Sequence, residues 1–127
     1  MNIVDSSGWL EYFADGPNAK HFLKPLQDAN QLIVPSITIY EVFKVVLREK
    51  DEGAAIQAIA SMRHGKVVDL DQELAILAAK ISIDHKLPMA DSIIIATARR
   101  YHAAIWTQDE DFEGLSGVNF FKKAAER

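Results

Sequence analysis

The chain contains no cysteine and no long apolar segment. The absence of cysteine excludes disulfide bonds, thiol catalysis and zinc sites built from thiolates, and it fits a reducing compartment. No apolar run approaches the roughly 20 residues of a membrane span. No signal-like segment precedes the first apolar residues, Ile3 and Val4. We therefore predict a cytoplasmic protein that does not associate with a membrane.

The sequence also lacks the motifs of several enzyme classes. It has no glycine-rich phosphate loop and no dinucleotide fingerprint, and no serine stands in the glycine-flanked context of a hydrolase nucleophile. The 4 histidines are not spaced like metal ligands. These absences disfavour nucleotide-binding enzymes, serine hydrolases and histidine-based metal sites.

Length and composition indicate one globular domain. Hydrophobic residues make up 49% of the chain and charged residues 25%, which is ordinary for a globular protein and excludes a disordered or collagen-like chain. A chain of 127 residues is long enough to bury a core of its own. We predict a single domain over residues 1–127.

Short apolar segments alternate with segments of helical periodicity along the chain. The pattern predicts strands near residues 3–4, 31–34, 66–70, 104–107 and 118–120. It predicts helices between them, of which the longest run from Ser36 to about Lys50, from Asp71 to about Lys86 and from Met89 to His102. Strands separated by helices form βα units. The sequence therefore predicts a three-layer α/β/α sandwich around a central parallel sheet of four to five strands.

Four acidic residues follow the predicted strands. Asp5 ends the first strand, and Asp109 comes shortly after the fourth. Glu41 lies early in the helix after the second strand, and Asp91 lies in the first turn of the helix before the fourth. Because open α/β sheets place their sites beyond the carboxyl ends of the strands, we expect these four carboxylates to converge at that edge.

Three of these residues also have simpler local explanations. Asp5 can cap the following helix, Asp91 can interact with a helix N-terminus, and Asp109 can belong to a solvated turn. Glu41 is harder to explain, because an unpaired carboxylate within an apolar stretch is costly. Two carboxylates about 4 Å apart repel by roughly 4 kcal/mol at an effective dielectric of about 20. A hard cation with oxygen ligands, Mg²⁺ or Mn²⁺, would remove this repulsion.

The residues around these carboxylates resemble the PIN domain family, and within it the VapC-type toxins of prokaryotic toxin–antitoxin pairs. The resemblance rests on residues 3–7 (IVDSS), 34–42 (VPSITIYEV), 89–98 (MADSIIIATA) and 106–112 (WTQDEDF). It implies an acidic metal site with two supporting hydroxyls, formed by Asp5, Glu41, Asp91, Asp109, Ser6 and Thr107. It leaves the role of Asp111 open.

This resemblance implies a magnesium-dependent endoribonuclease in which metal-activated water hydrolyses the phosphodiester. Attack by water, and not by the ribose 2′-hydroxyl, predicts products with 5′-phosphate and 3′-hydroxyl ends. Glu41 either ligates a metal or orients the water, and both roles stay open. The resemblance also implies an RNA substrate, a cognate antitoxin protein and a homodimer.

The charge balance predicts few electrostatic contacts with RNA. The net charge is −4, and without the four site carboxylates 14 acidic residues would stand against 14 lysines and arginines. We therefore expect a shallow salt dependence of RNA binding. The candidate cations beside the site are Lys44, Arg48, Arg99 and Arg100.

Two hypotheses from other classes remain compatible with the sequence. A PIN-like binding module without catalysis would carry the same carboxylates, and metal binding without RNA cleavage would favour it. A receiver-like domain would accept a phosphoryl group on one aspartate of an acidic pocket. The paired acidic start of such a domain is absent here, and Glu41 would have no purpose in it.

Overall fold

The structure, a computed structural model, describes residues 1–124, so the last residues of the predicted domain, 125–127, lie outside the described part. A parallel sheet forms its centre. The strands are β1 (Asn2–Val4), β2 (Leu32–Pro35), β3 (Lys66–Val68), β4 (Ala104–Thr107) and β5 (Val118–Phe120). The sheet therefore has five strands, the upper end of the predicted range.

Pairs of helices connect the first four strands. These helices are α1 (Ser6–Phe13), α2 (Ala19–Gln27), α3 (Ser36–Glu49), α4 (Glu52–Met62), α5 (Gln72–His85) and α6 (Met89–Tyr101). Short 3-10 helices at Ala29–Gln31 and Glu110–Phe112 precede β2 and β5. None of the helices within residues 1–124 combines the length and the hydropathy that crossing a membrane requires.

The inner strands bury both of their faces, which explains their apolar sequences. On β1, Ile3 packs into a core formed with α5 and α6, whereas Val4 packs into a core formed with α1 to α4. On β2, Ile33 and Val34 divide between the same two cores. Helices therefore cover both faces of the sheet, and the predicted three-layer α/β/α sandwich is confirmed.

The strand order reverses between β1 and β4. The order across the sheet is β3-β2-β1-β4-β5, so the chain builds outwards from β1 and then returns to its other side. Such a reversal opens a crevice at the carboxyl ends of the two strands. A receiver-like sheet has the order 2-1-3-4-5, and the observed order removes that hypothesis. Because Val4 pairs with Trp106, Asp5 and Thr107 lie side by side at the crevice.

The third strand is shorter than the sequence predicts. We expected it over residues 66–70, but β3 ends at Val68, and Asp69 and Leu70 are exposed. The chain leaves the sheet there because α5 begins at Gln72. Its N-cap is Asp71, whose carboxylate accepts a hydrogen bond from the Leu74 N–H at 2.8 Å. The apolar residues near 70 therefore belong to the connection and not to the strand.

Candidate active site

Asp5 is buried at the point where β1 ends and α1 begins, with only 2% of its surface exposed. Its Oδ1 accepts hydrogen bonds from the Ser7 hydroxyl at 2.7 Å and from the Gly8 N–H at 3.0 Å. Its Oδ2 accepts a hydrogen bond from the Thr107 hydroxyl at 2.8 Å. Burial raises the pKa of Asp5 to about 6, although these hydrogen bonds oppose the shift. Asp5 caps α1, but its burial and two hydroxyl partners exceed what a cap requires.

Two hydroxyl groups connect Asp5 to the end of β4. Thr107 Oγ1 donates to Asp5 and accepts a hydrogen bond from the Asp109 N–H at 2.9 Å. Ser7 Oγ donates to Asp5 and accepts a hydrogen bond from the Gln108 N–H at 3.2 Å. Each hydroxyl therefore fixes one backbone N–H of the segment after β4 relative to the Asp5 carboxylate.

Asp91, Asp109 and Asp111 form a tight group of carboxylates at the same edge. One oxygen of each lies within 4.8 Å of the others. The group is held together locally, since the Asp111 N–H donates to Asp109 Oδ1 at 2.9 Å. Burial, and then the proximity of Asp109 and Asp111, raise the pKa of Asp91 to about 8. A carboxylic acid with this pKa keeps its proton at neutral pH until a cation replaces it.

Glu41 reaches this edge from α3 and is half-buried. Its Oε1 is buried and has no hydrogen-bond partner among the described residues. Burial raises the pKa of Glu41, the nearby Ser6 hydroxyl lowers it, and the charge of Asp109 raises it. A buried carboxylate oxygen without a partner is costly, so this atom is suited to bind a cation or a water molecule.

These side chains fit a hard divalent cation. Mg²⁺ holds its oxygen ligands at about 2.1 Å, so oxygens up to about 4.2 Å apart can share one ion. The oxygens of Asp91, Asp109 and Asp111 need to move little to reach that spacing. All donors are carboxylate oxygens, which suit Mg²⁺ or Mn²⁺ better than softer metals. The raised pKa values of Asp5, Glu41 and Asp91 have the same physical origin, because the carboxylates share one poorly solvated region.

Of the four predicted carboxylates, the structure places Asp91 and Asp109 in one tight group. Burial raises the pKa values of Asp5 and Glu41 most, and these two residues lie near enough to Asp109 for its charge to raise them further. The structure also adds two residues that sequence reasoning missed or left open. Of the two adjacent serines, we expect Ser6 to support the site, and its hydroxyl lies beside Glu41. Sequence reasoning missed Ser7, whose hydroxyl donates to Asp5. Only the rotation of α1 about its axis decides between them. Asp111 joins the cluster because the 3-10 helix at Glu110–Phe112 turns it back towards Asp109.

The expectation that Arg99 and Arg100 lie beside the carboxylates is wrong. They end α6, a helix of 13 residues whose first turn carries Asp91. Such a helix is about 20 Å long. Its last turn lies near the start of β4, at the opposite edge of the sheet. There Arg100 binds the Asp71 carboxylate at 2.7 Å and 3.1 Å.

The two other candidate cations lie on α3. Lys44 is exposed one turn after Glu41, and its Nζ lies 5.6 Å from the centroid of the Tyr40 ring. Arg48 is one turn further along and lies 3.7 Å from Glu49. Both side chains are exposed. The proposed position of Lys44 and Arg48 beside the carboxylates therefore stays a prediction.

We expect Thr107→Val to weaken Mn²⁺ binding by about 10- to 100-fold, the range typical of partners that orient metal ligands. Valine has nearly the same shape but can neither donate to Asp5 nor accept from the Asp109 N–H. Calorimetric titration with Mn²⁺ measures the effect. Thr97→Val is the matched control, because the buried Thr97 hydroxyl bonds only to Ile93 O within α6. Equal affinity in the two variants would contradict this role of Thr107.

The chain matches the model of the PIN domain family over residues 3–118. No curated protein sequence matches it. A toxin–antitoxin complex from Klebsiella pneumoniae has a TM-score of 0.80 at 22% identity, over 97% of this chain and 100% of that chain. VapC20 of Mycobacterium tuberculosis, described as a toxin that cleaves the sarcin-ricin loop, has a TM-score of 0.77 at 17% identity, over 93% and 97%. DNA-bound VapBC from Salmonella typhimurium has a TM-score of 0.72 at 14% identity, over 96% and 98%. At these identities the likeness shows a shared fold.

Proposed function

Because the chain belongs to the PIN domain family, we propose that it is a metal-dependent endoribonuclease and the toxin of a VapC-type toxin–antitoxin pair. The observation that carries this proposal is the group of carboxylates that separate elements contribute at the reversal of strand order. The group consists of Asp5, Glu41, Asp91, Asp109 and Asp111. A structural neighbour described as a toxin that cleaves the sarcin-ricin loop supports the choice of RNA as substrate.

The carboxylates have different roles in the proposed phosphodiester hydrolysis. Asp91, Asp109 and Asp111 would hold the cation, Mg²⁺ or in its place Mn²⁺. When bound, the cation supplies a water of lowered pKa and stabilises charge on the attacked phosphate. Asp5 orients the Asp109 segment through its two hydroxyl partners. Glu41 Oε1, which has no hydrogen-bond partner within residues 1–124, is suited to orient the attacking water and to take its proton.

The test is cleavage of total RNA by the purified, antitoxin-free protein in Mg²⁺ and in EDTA, with the new ends mapped. We expect discrete cuts only in Mg²⁺, with 5′-phosphate and 3′-hydroxyl ends, because water is the nucleophile. Ends that carry a 2′,3′-cyclic phosphate would contradict the mechanism. A folded protein that binds metal but never cleaves RNA would favour the second candidate, a non-catalytic PIN-like binding module.

We further propose that a cognate antitoxin inhibits the protein. Two of the structural neighbours are a toxin–antitoxin complex and VapBC, which supports such a partner. A groove of about 330 Å³ between α1, α3 and α4 offers an apolar surface for it. The groove is lined by Leu10, Phe13, Val46 and Ala58, among others. RNA and antitoxin would both meet the protein in the cytoplasm. Added antitoxin should suppress RNA cleavage, and undiminished cleavage at saturation would contradict this proposal.

We also propose a homodimer, and α5 offers a face for it. Besides the stripe that faces the core, α5 carries a second apolar stripe on its exposed side: Ala75, Ile76, Ala79 and Ile83. Ile83 is 80% exposed and the neighbouring Met89 is 71% exposed, and such a patch marks an interface. Ile83→Glu should therefore give a monomer in light scattering at micromolar concentration. Leu23→Glu, on the exposed side of α2, should leave the dimer intact. A wild-type protein that is monomeric in the same light-scattering measurement would contradict the proposed homodimer.

A further inference from the structure

A group of basic residues lies on the β5 side of the carboxylates. We call it the β5-side surface and define it by Lys20, His21, Lys122 and Lys123. The Phe121 N–H donates to Thr107 O at 2.9 Å, so the chain leaves β5 beside the last residue of β4. The two lysines that follow are exposed at the carboxyl edge of the sheet. The same edge holds the acidic cluster.

Asn18 holds this surface against the site. Its Nδ2 donates to Gln108 Oε1 at 3.0 Å and to Lys122 O at 3.0 Å. Gln108 is buried and directly precedes Asp109, a member of the carboxylate cluster. The Lys122 backbone is therefore two hydrogen bonds away from a residue adjacent to the cluster. This attachment orders the backbone from which Lys122 and Lys123 extend.

Ring stacking brings the start of α2 to the same place. His21 stacks on Phe121 with ring centroids 4.6 Å apart and an angle of 4° between the planes. Lys20 precedes His21 and is exposed. The nearby carboxylate of Glu11 accepts the Asn18 N–H at 2.7 Å and keeps its negative charge, against which the surface carries three lysines. The β5-side surface is therefore basic and directly adjoins an acidic cluster.

We propose that the β5-side surface binds backbone phosphates of the RNA substrate on one side of the scissile bond; this proposal rests on the proposed nuclease function. Carboxylates repel RNA wherever a cation does not neutralise them, so neighbouring phosphates need basic side chains within reach. RNA can bind both parts of this edge. Its scissile phosphate would bind the cation at the carboxylates, and the next phosphates along the chain would bind the lysines of the β5-side surface. An acidic protein segment fits the lysines but is repelled by the carboxylates. The Arg100 guanidinium lies at the opposite edge of the sheet and is bound to Asp71, so it cannot bind these phosphates.

The test compares two double variants that lose the same charge. Lys122→Ala/Lys123→Ala removes two cations from the β5-side surface, and Lys80→Ala/Arg99→Ala removes two exposed cations from α5 and α6. The steady-state cleavage of a fluorescein-labelled single-stranded RNA is measured in Mg²⁺ at several salt concentrations. We expect the first variant to raise KM several-fold and leave kcat unchanged. Its plot of log KM against log salt should be shallower by about 1.4, or about 0.7 for each lost phosphate contact. The second variant should behave as the wild type.

Several results would overturn the proposal. An unchanged KM and salt slope in the first variant, or equal losses in both variants, would remove any specific role of the surface. Unchanged RNA kinetics combined with weaker inhibition by antitoxin would identify an acidic protein segment as the occupant instead. In each of these cases the wild type still cleaves RNA and the proposed function stands. A wild-type protein that cleaves no RNA would contradict both the proposed nuclease function and the proposed role of the β5-side surface. Melting curves confirm that each variant is folded.

Discussion

We expect Asp91→Asn to lower the proposed RNA cleavage by more than about 100-fold, beyond the 10- to 100-fold typical of residues that only orient metal ligands. The substitution takes one charged oxygen ligand from the cluster that Asp91 forms with Asp109 and Asp111. It leaves the shape of the side chain almost unchanged. The metal-free variant should nevertheless be as stable as the metal-free wild type below about pH 4, and increasingly more stable than it as the pH rises towards about pH 8. The reason is that burial and neighbouring charges raise the pKa of folded Asp91 to about 8. Above about pH 4 the unfolded wild-type chain releases a proton that the folded protein keeps, which favours unfolding, whereas the amide is neutral in both states.

RNA cleavage in Mg²⁺ and thermal melting in EDTA measure the two effects. Asp71→Asn is the matched control, because this exposed aspartate binds Arg100, which lowers the pKa of Asp71 to about 2. The control should retain wild-type cleavage and gain no stability at high pH. Wild-type cleavage by Asp91→Asn would contradict the metal site. A lower melting temperature of Asp91→Asn in EDTA would contradict the account of its charge.

We expect Mg²⁺ to stabilise the protein more at high pH than at low pH. The folded-state pKa values of Asp5 and Asp91 are raised to about 6 and about 8, whereas an unfolded aspartate has a pKa of about 4. The folded, metal-free protein therefore holds more protons than the unfolded chain in this range. The stability that these protons provide is fully present below about pH 4 and is lost as pH rises towards about pH 8. A cation that binds the ionised carboxylates restores it.

The measurement is the melting temperature with Mg²⁺ minus the melting temperature with EDTA. It is made at about pH 5.5 and at about pH 8.5, because most of the loss of stability falls between these two pH values. The difference should be larger at the higher pH. In Asp91→Asn the EDTA curve should depend less on pH, because one of the two shifted groups is gone. An equal effect of Mg²⁺ at both pH values would contradict the prediction.

The positions of the main carboxylates could be predicted because each depends on where a strand ends. Asp5 and Asp109 follow β1 and β4, and the parallel sheet then brings them to one edge. Glu41 and Asp91 lie in the early turns of helices that begin near that edge. The carboxyl edge of a parallel sheet is defined by where its strands end, so periodicity and the rule that sites lie beyond that edge were sufficient.

The remaining parts of the site depend on geometry that sequence patterns do not encode. Ser6 and Ser7 are neighbours of the same type, and only the rotation of α1 directs Ser7 to Asp5. From the sequence alone, Asp111 resembles a residue of a solvated turn. The structure shows that the 3-10 helix places it next to Asp109. Arg99 was assigned to the wrong edge because its distance from Asp91 depends on the length and direction of α6.

The central claim is that these carboxylates bind a divalent cation, and anomalous diffraction from crystals grown in Mn²⁺ tests it most directly. A peak bounded by oxygens of Asp91, Asp109 and Asp111, at metal–oxygen distances near about 2.1 Å, is the predicted result. Ordered carboxylates with no peak between them at millimolar Mn²⁺ would contradict the claim.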